Sequence, residues 1–225
     1  MKMTRILSAG SLIGLGAAGA IGVVTLTPAQ PGAPAATVET STYLPINSGA
    51  PAASATAKSY TVDGVHSGVI FRIMHAGAAP FYGMFTNLSG DMTVDMESPQ
   101  ATRLNMEIDT SKVATGNDNR DDHLRSADFF NARQFPTATF TSTNASVNDD
   151  GSMTIEGDLT LLGVTKPVKA TMTPTGEGQF RNSTRAGFET KLTFNRSDFG
   201  MTAYIDQGTL GDEVQLIVYI EGVEQ

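Results

Sequence analysis

The sequence predicts an all-β fold: an extended antiparallel up-and-down barrel of about eight strands with one short helical segment. Three observations carry this. Apolar and polar residues alternate at period two in six separate runs, turn-forming residues separate the runs, and the chain has no cysteine, so the strands must hide their apolar faces against one another without covalent help.

Taken in order, Val69, Phe71 and Ile73 flank Arg72, and Met92, Val94 and Met96 interleave with Asp91, Thr93 and Asp95. Leu104, Met106 and Ile108 alternate with Arg103, Asn105, Glu107 and Asp109. Met153, Ile155, Leu159 and Leu161 oppose Thr154, Glu156, Asp158 and Thr160, while Val168, Ala170 and Met172 oppose Lys169, Thr171 and Thr173. Leu192 and Phe194 oppose Glu189, Lys191 and Thr193. Ser89-Gly90, Asp149-Asp150-Gly151, Gly163 and Gly176 to Gly178 supply turn chemistry between runs. Strands with one apolar face must share an interior, and closing the sheet on itself removes its exposed edges. A two-sheet sandwich satisfies the same alternation and stays open as the alternative.

The last run departs from the pattern. Val214, Leu216, Val218 and Ile220 lie on one side, yet Ile217 and Tyr219 lie on the other. The expected cover for that outer face is the helical stretch 119–130, NRDDHLRSADFF, through Leu124, Phe129 and Phe130.

The ends of the chain read differently. Lys2 and Arg5 precede an uncharged run from Ile6 to Leu26, followed by small residues at Thr27-Pro28-Ala29, the pattern of an export signal over residues 1–29. If it stays uncleaved, the run is long enough to serve as an N-terminal membrane anchor. The Gly14–Gly19 segment GLGAAG matches a dinucleotide fingerprint by letter only, because no strand precedes it and the first acid is Glu39. Residues 30–58 are rich in Ala, Pro, Ser and Thr and read as a flexible linker, leaving one domain at 59–225. Without the leader, 13 basic groups face 23 acidic ones, a balance of −10 that argues against nucleic-acid partners.

Met92, Met96, Met106, Met153 and Met172 all fall on the expected inner face. Methionine either fills gaps in a solid core or lines a lumen that adapts to apolar ligands, and the sequence supports both readings. In the charged stretch, Asn117 and Asp118 suit a helix cap, Asp121 and Asp122 its first turn, and Arg125 a partner for Asp121. Asp122 and His123 are neighbours on a helix and point about 100° apart, a poor arrangement for proton transfer or metal binding. No G-x-S-x-G, H-E-x-x-H or phosphate-binding loop is present, and residues 146–157 echo a calcium loop but carry Gly157 where glutamate is required.

Six ordered blocks resemble the YceI-like polyisoprenoid-binding proteins: residues 60–75, YTVDGVHSGVIFRIMH; 83–85, GMF; 120–130, RDDHLRSADFF; 135–143, FPTATFTST; 157–168, GDLTLLGVTKPV; and 195–201, NRSDFGM. The resemblance implies a lipocalin-like barrel, exported to the periplasm, that holds an isoprenoid chain such as a quinone tail or polyprenyl phosphate and catalyses nothing. The segment AGAAPFYG, residues 76–83, departs from it and is expected to reshape the mouth.

The expected function is therefore carriage of an isoprenoid-type lipid, with no cofactor and no metal. Phe71, Ile73, Met92, Val94, Leu104, Met106, Ile108, Met153, Ile155, Leu159, Leu192 and Phe194 are expected to line the lumen. His75, with Arg72 or His66, is expected to meet the polar end. Association into a homodimer stays open. The rival readings are a lipid-modifying enzyme using Asp121, Asp122 and His123, and a solid structural barrel without ligand.

Overall fold

The computed structural model describes residues 56–225; the expected leader and most of the expected linker lie outside the described residues. The strands are β1 (Lys58–Val62), β2 (Gly68–His75), β3 (Ala79–Phe85), β4 (Leu88–Val94), β5 (Arg103–Asp109), β6 (Val113–Ala114), β7 (Thr137–Val147), β8 (Met153–Leu161), β9 (Val164–Phe180), β10 (Ser183–Asn195) and β11 (Leu210–Glu224). One α-helix, α1 (Asp118–Arg125), sits between β6 and β7.

Eleven strands build an eight-position antiparallel ring because three long strands are each broken by a bend. β1 and β2 form one position, interrupted at 63–67; β3 and β4 form the next, interrupted at Thr86-Asn87; β5 and β6 form the third, interrupted by a 3₁₀ turn at Thr110–Lys112. Thus β2 pairs with β3 and β3 with β6 on one side of the bends, while β1 pairs with β4 and β4 with β5 on the other. From β5 the ladder continues through β7, β8, β9, β10 and β11. β11 then meets β1 and β2 on its far edge, which closes the ring. The barrel is confirmed over the sandwich.

The bends also create an opening. β5 is paired with β7, but β6 pairs only with β3, so the wall parts between β6 and β7. Residues 115–136 fill the gap, and α1 is held there by local chemistry. Asn117 caps it by accepting from the Arg120 backbone N–H at 3.0 Å. Asp121 is buried and accepts from the Thr115 hydroxyl, while Arg125 donates to Asp122 at 2.7 Å rather than to Asp121.

Four expectations are corrected. Leu124, Phe129 and Phe130 turn into the barrel instead of covering the outer face of β11, which leaves Ile217 and Tyr219 half-buried beside their strand neighbours Ile70 and Gly68. Met96 lies beyond β4 and is exposed, because the chain bends away once Asp95 is buried. Ser89-Gly90 sits inside β4: Gly90 has φ 144°, and a Cβ there would come within 2.1 Å of the Asn105 carbonyl, so glycine lets two strands coil closely. Gly176 to Gly178 lies inside β9, and the hairpin turns only after Phe180.

Where β1 bends into β2, Arg185 of β10 binds Asp63 and Glu221 together, at 2.8 Å from the latter, and His66 lies 3.1 Å from Asp63. The Arg185 guanidinium, then the His66 imidazole, hold the Asp63 carboxyl well below the usual carboxylate range. A depressed folded-state value stabilises the protein at all pH above the unfolded value of about 4, and that stabilisation is lost as pH falls through the folded one. Thermal unfolding is therefore expected to show a Tm falling from about pH 4 to pH 2, with Asp63→Asn lowering Tm at neutral pH and flattening the acid limb; an unchanged acid limb in the variant would contradict this.

Candidate ligand-binding lumen

Inward-facing residues divide the barrel into a solid half and a hollow half. Tyr60, Val62, Met92, Val94, Ala145, Met153, Met172, Ala186 and Phe188 are buried in one packed cluster, with Met153 and Met172 fully inaccessible. Tyr60 meets Phe188 edge-on at 5.8 Å within it. Beyond this plug the interior opens into a chamber of about 320 Å³. A smaller compartment of about 70 Å³ continues it inward, and Val69, Ile108, Ala138, Leu159 and Leu216 line both.

The chamber wall comes from both arms of the bent strands and from the insert. β2 contributes Phe71 and Ile73, β3 contributes Phe81 and Phe85, and the 115–136 segment contributes Leu124, Phe129 and Phe130. Phe85 lies between Phe71 at 5.9 Å and Phe130 at 5.1 Å, so a continuous aromatic wall joins strand and insert. Polar groups gather where the wall is exposed. His75 is exposed at the end of β2, Arg120 stands 4.6 Å from the Phe81 ring centre, and His123 lies edge-on to Phe129 and Tyr204.

Beside the insert, where Tyr204 packs against Phe129 and His123, the loop 200–209 is held by a buried arginine. Arg196 donates to the carbonyls of Gly211 at 2.8 Å, Met201 at 3.1 Å and Ala203 at 2.8 Å. Burial lowers its pKa, yet the guanidinium fork satisfies three carbonyls at once, which no other side chain can do from that position. Met201, Tyr204, Thr209 and Leu210 are thereby set into the chamber wall.

The thirteen expected lining residues therefore fall into three places. Phe71, Ile73, His75, Ile108, Leu159 and Phe194 line the chamber, and Leu104, Met106, Ile155 and Leu192 line the inner compartment. Met92, Val94 and Met153 belong to the plug, as does Met172. Of the expected polar contacts only His75 faces the chamber. Arg72 points outward, 3.4 Å from Gln215, and His66 lies at the other end of β2 in the Arg185 cluster. Sequence reasoning missed Phe81, Phe85, Arg120, Tyr204 and Met201. The pairing of GMF with the aromatic Phe81 was a usable signal, whereas loop residue Tyr204 offered none.

Nor do the candidate catalytic residues converge. Asp121 is engaged by Thr115, Asp122 by Arg125, and His123 by Asp128 at 2.9 Å. Asp63, His66 and Glu221 approach one another closely enough to ligate a cation, but Arg185 already supplies the positive charge between the two carboxylates.

A closed antiparallel barrel with an apolar chamber, and with arginine, histidine and tyrosine at its exposed side, has the form of β-barrels able to hold an apolar molecule. Residues 60–222 match the YceI-like domain, and the chain belongs to that family. It is 43% identical over 175 residues to Protein YceI of Salmonella arizonae and equally to that of Salmonella heidelberg, covering 76% of this chain and 90% of each relative. Its fold is similar to the crystal structure of BcnA from Burkholderia cenocepacia, with TM-score 0.64 and 24% identity over 71% of this chain and 98% of that one. It is also similar to a polyisoprenoid binding domain from Saccharophagus degradans implicated in plant cell wall breakdown, with TM-score 0.57 and 17% identity over 74% and 98% of the two chains.

Two substitutions probe this architecture. Thr190, buried beside the inner compartment, has a hydroxyl with no hydrogen-bond partner among the described residues. Thr190→Val is expected to stabilise the protein by about 1 kcal/mol in urea unfolding; destabilisation would mean that the hydroxyl is satisfied in solution. Arg196→Lys, which cannot reach three carbonyls, is expected to cost about 2 kcal/mol and to raise hydrogen exchange in residues 200–211.

Proposed function

We propose that the protein is an exported carrier that holds an isoprenoid-type lipid, a quinone or a polyprenyl phosphate, with its chain in the chamber. The observation that supports it most directly is the chamber, whose wall is almost wholly aliphatic and aromatic, with Arg120, His75 and His123 toward its exposed side and the buried Arg196 engaged with backbone carbonyls. Family membership and the isoprenoid-binding description of one structural neighbour point the same way. Each methylene moved from water to such a wall contributes about 0.8 kcal/mol, so a prenyl chain binds without any catalytic group.

The rim is suited to the other end of the molecule. Arg120 keeps its guanidinium beside Phe81 by donating from Nε to the Thr115 hydroxyl at 2.8 Å, and His75 and His123 also line the chamber. A phosphate or a quinone carbonyl finds charged hydrogen-bond donors there, whereas the inner compartment is lined by apolar side chains apart from Thr139 and Thr190. Export to the periplasm, by the leader with Lys2 and Arg5, belongs to the same proposal.

Solvent extraction of the purified protein followed by mass spectrometry is expected to release a prenyl lipid, and the delipidated protein is expected to take up a prenylated quinone. Ala138→Phe places a ring between chamber and inner compartment, and is expected to weaken uptake at least tenfold while leaving the circular dichroism spectrum unchanged. Neither lipid recovered nor quinone taken up would overturn carriage.

A further inference from the structure

Three side chains able to ligate a metal meet on the outer wall at the plugged end, outside the chamber. Asp63 and His66 come from the bend 63–67 and Glu221 from β11, and one donor atom of each lies within 4.8 Å of the others. His66 Nδ1 stands 3.1 Å from Asp63 Oδ2 and 3.9 Å from Glu221 Oε1. An ion bound about 2.1 Å from each donor needs them about 3.0 to 3.4 Å apart, so both histidine edges of this triangle are within about 0.5 Å of a coordination face. No spacing in the sequence announces the group, because only the pairing of β1 with β11 brings its members together.

The cation that stands there is a poor fit. Arg185 Nη1 lies 2.8 Å from Glu221 Oε1 and also binds Asp63 Oδ2, the same two oxygens that approach His66. A single nitrogen is acting as a point charge. Arg185 Nε is buried without a hydrogen-bond partner among the described residues, so the planar fork that distinguishes arginine from a compact ion is unused. Arg196 shows the contrast within the same barrel, since its Nε, Nη1 and Nη2 each donate to a separate carbonyl.

Arg185 also has somewhere to go. Gly178 faces it across the β9–β10 ladder, and a Cβ on Gly178 would meet nothing within 4 Å. A surface pocket of about 230 Å³ opens there between His66, Phe180, Arg185 and Glu221. The guanidinium carbon is already 5.3 Å from the Phe180 ring centre, so turning fully onto that ring retains a cation–π contact.

We propose that Asp63, His66 and Glu221 form a site for one divalent ion of the Zn²⁺ type, and that Arg185 is the displaceable stand-in for it. One imidazole nitrogen with two carboxylate oxygens is a donor set for such ions, whereas Mg²⁺ and Ca²⁺ take oxygen alone. A bound ion clamps the bend 63–67 to β11 beside the closure of the ring, and its role is that of a fastener.

Full-length protein stripped of metal by chelation is titrated with ZnCl₂, with heat and Tm as the two readouts. Zn²⁺ at a hundredfold excess over its Kd is expected to raise Tm by about 5 to 10 °C. His66→Ala, at an exposed position, is expected to weaken binding at least tenfold. Arg185→Gln is expected to lower Tm without metal, because two carboxylates lose their cation, yet to bind Zn²⁺ at least tenfold more tightly than the native protein and to regain Tm. Failure of the native protein to bind Zn²⁺ overturns the site, as does binding that His66→Ala leaves unchanged. Binding no tighter in Arg185→Gln than in the native protein overturns the shared position. If Arg185→Gln does not fold, the native protein and His66→Ala decide alone.

Discussion

Closure of the ring by three backbone pairings is the constraint on which everything else depends. Tyr60, Thr61 and Val62 of β1 face Glu224, Val223 and Gly222 of β11, and without them the sheet would end in two free edges. The contact is tight. A Cβ on Gly222 would approach the Tyr60 side chain to 2.8 Å and Met92 to 2.7 Å, so a glycine is required where the two ends of the sheet meet. The same crowding that closes the ring here also packs the plug, because Tyr60 and Met92 belong to it. Closure and solidity are thus one event at this end of the barrel, and hollowness is confined to the other.

The bends at 63–67, 86–87 and 110–112 explain how one barrel can be solid and hollow at once. On one side of them the strands stay in a tight ring and their side chains meet across the centre. On the other, β2, β3 and β6 splay away from β7, and the interior becomes too wide for strand side chains alone to fill. The insert 115–136 supplies Leu124, Phe129 and Phe130 to that space without filling it.

The wall of the barrel was legible in the sequence and its ends were not. Period-two alternation gave the inner faces of β8, β9 and β10 correctly because each strand has one apolar face, and both Asp149-Asp150-Gly151 and Gly163 lie at true turns. Glycine misled at Gly90 because it serves close strand approach as readily as turning, and at Gly176 because its positive φ of 151° lies within a strand, opposite the register shift at Gly187/Phe188. Met96 misled because alternation continues past the residue where the backbone bends. The inward parity of Met92 and Met153 was correct, but parity distinguishes inside from outside and says nothing of depth, which is why plug residues and lumen residues carry the same signature. Likewise the apolar spacing of Leu124, Phe129 and Phe130 showed that they must be covered, and only the gap between β6 and β7 shows by what.

The insert differs from the wall in how it is fastened. From 117 to 135 its backbone hydrogen bonds run within the segment itself, and its ties to the strands are side-chain bonds such as those from Arg125 to the carbonyls of Ser111 and Val113. Swinging it outward breaks no strand ladder. Opening of this segment is therefore opposed by the packing of Leu124, Phe129 and Phe130 and by side-chain bonds, and it is separable from the cooperative unfolding that the ladders resist.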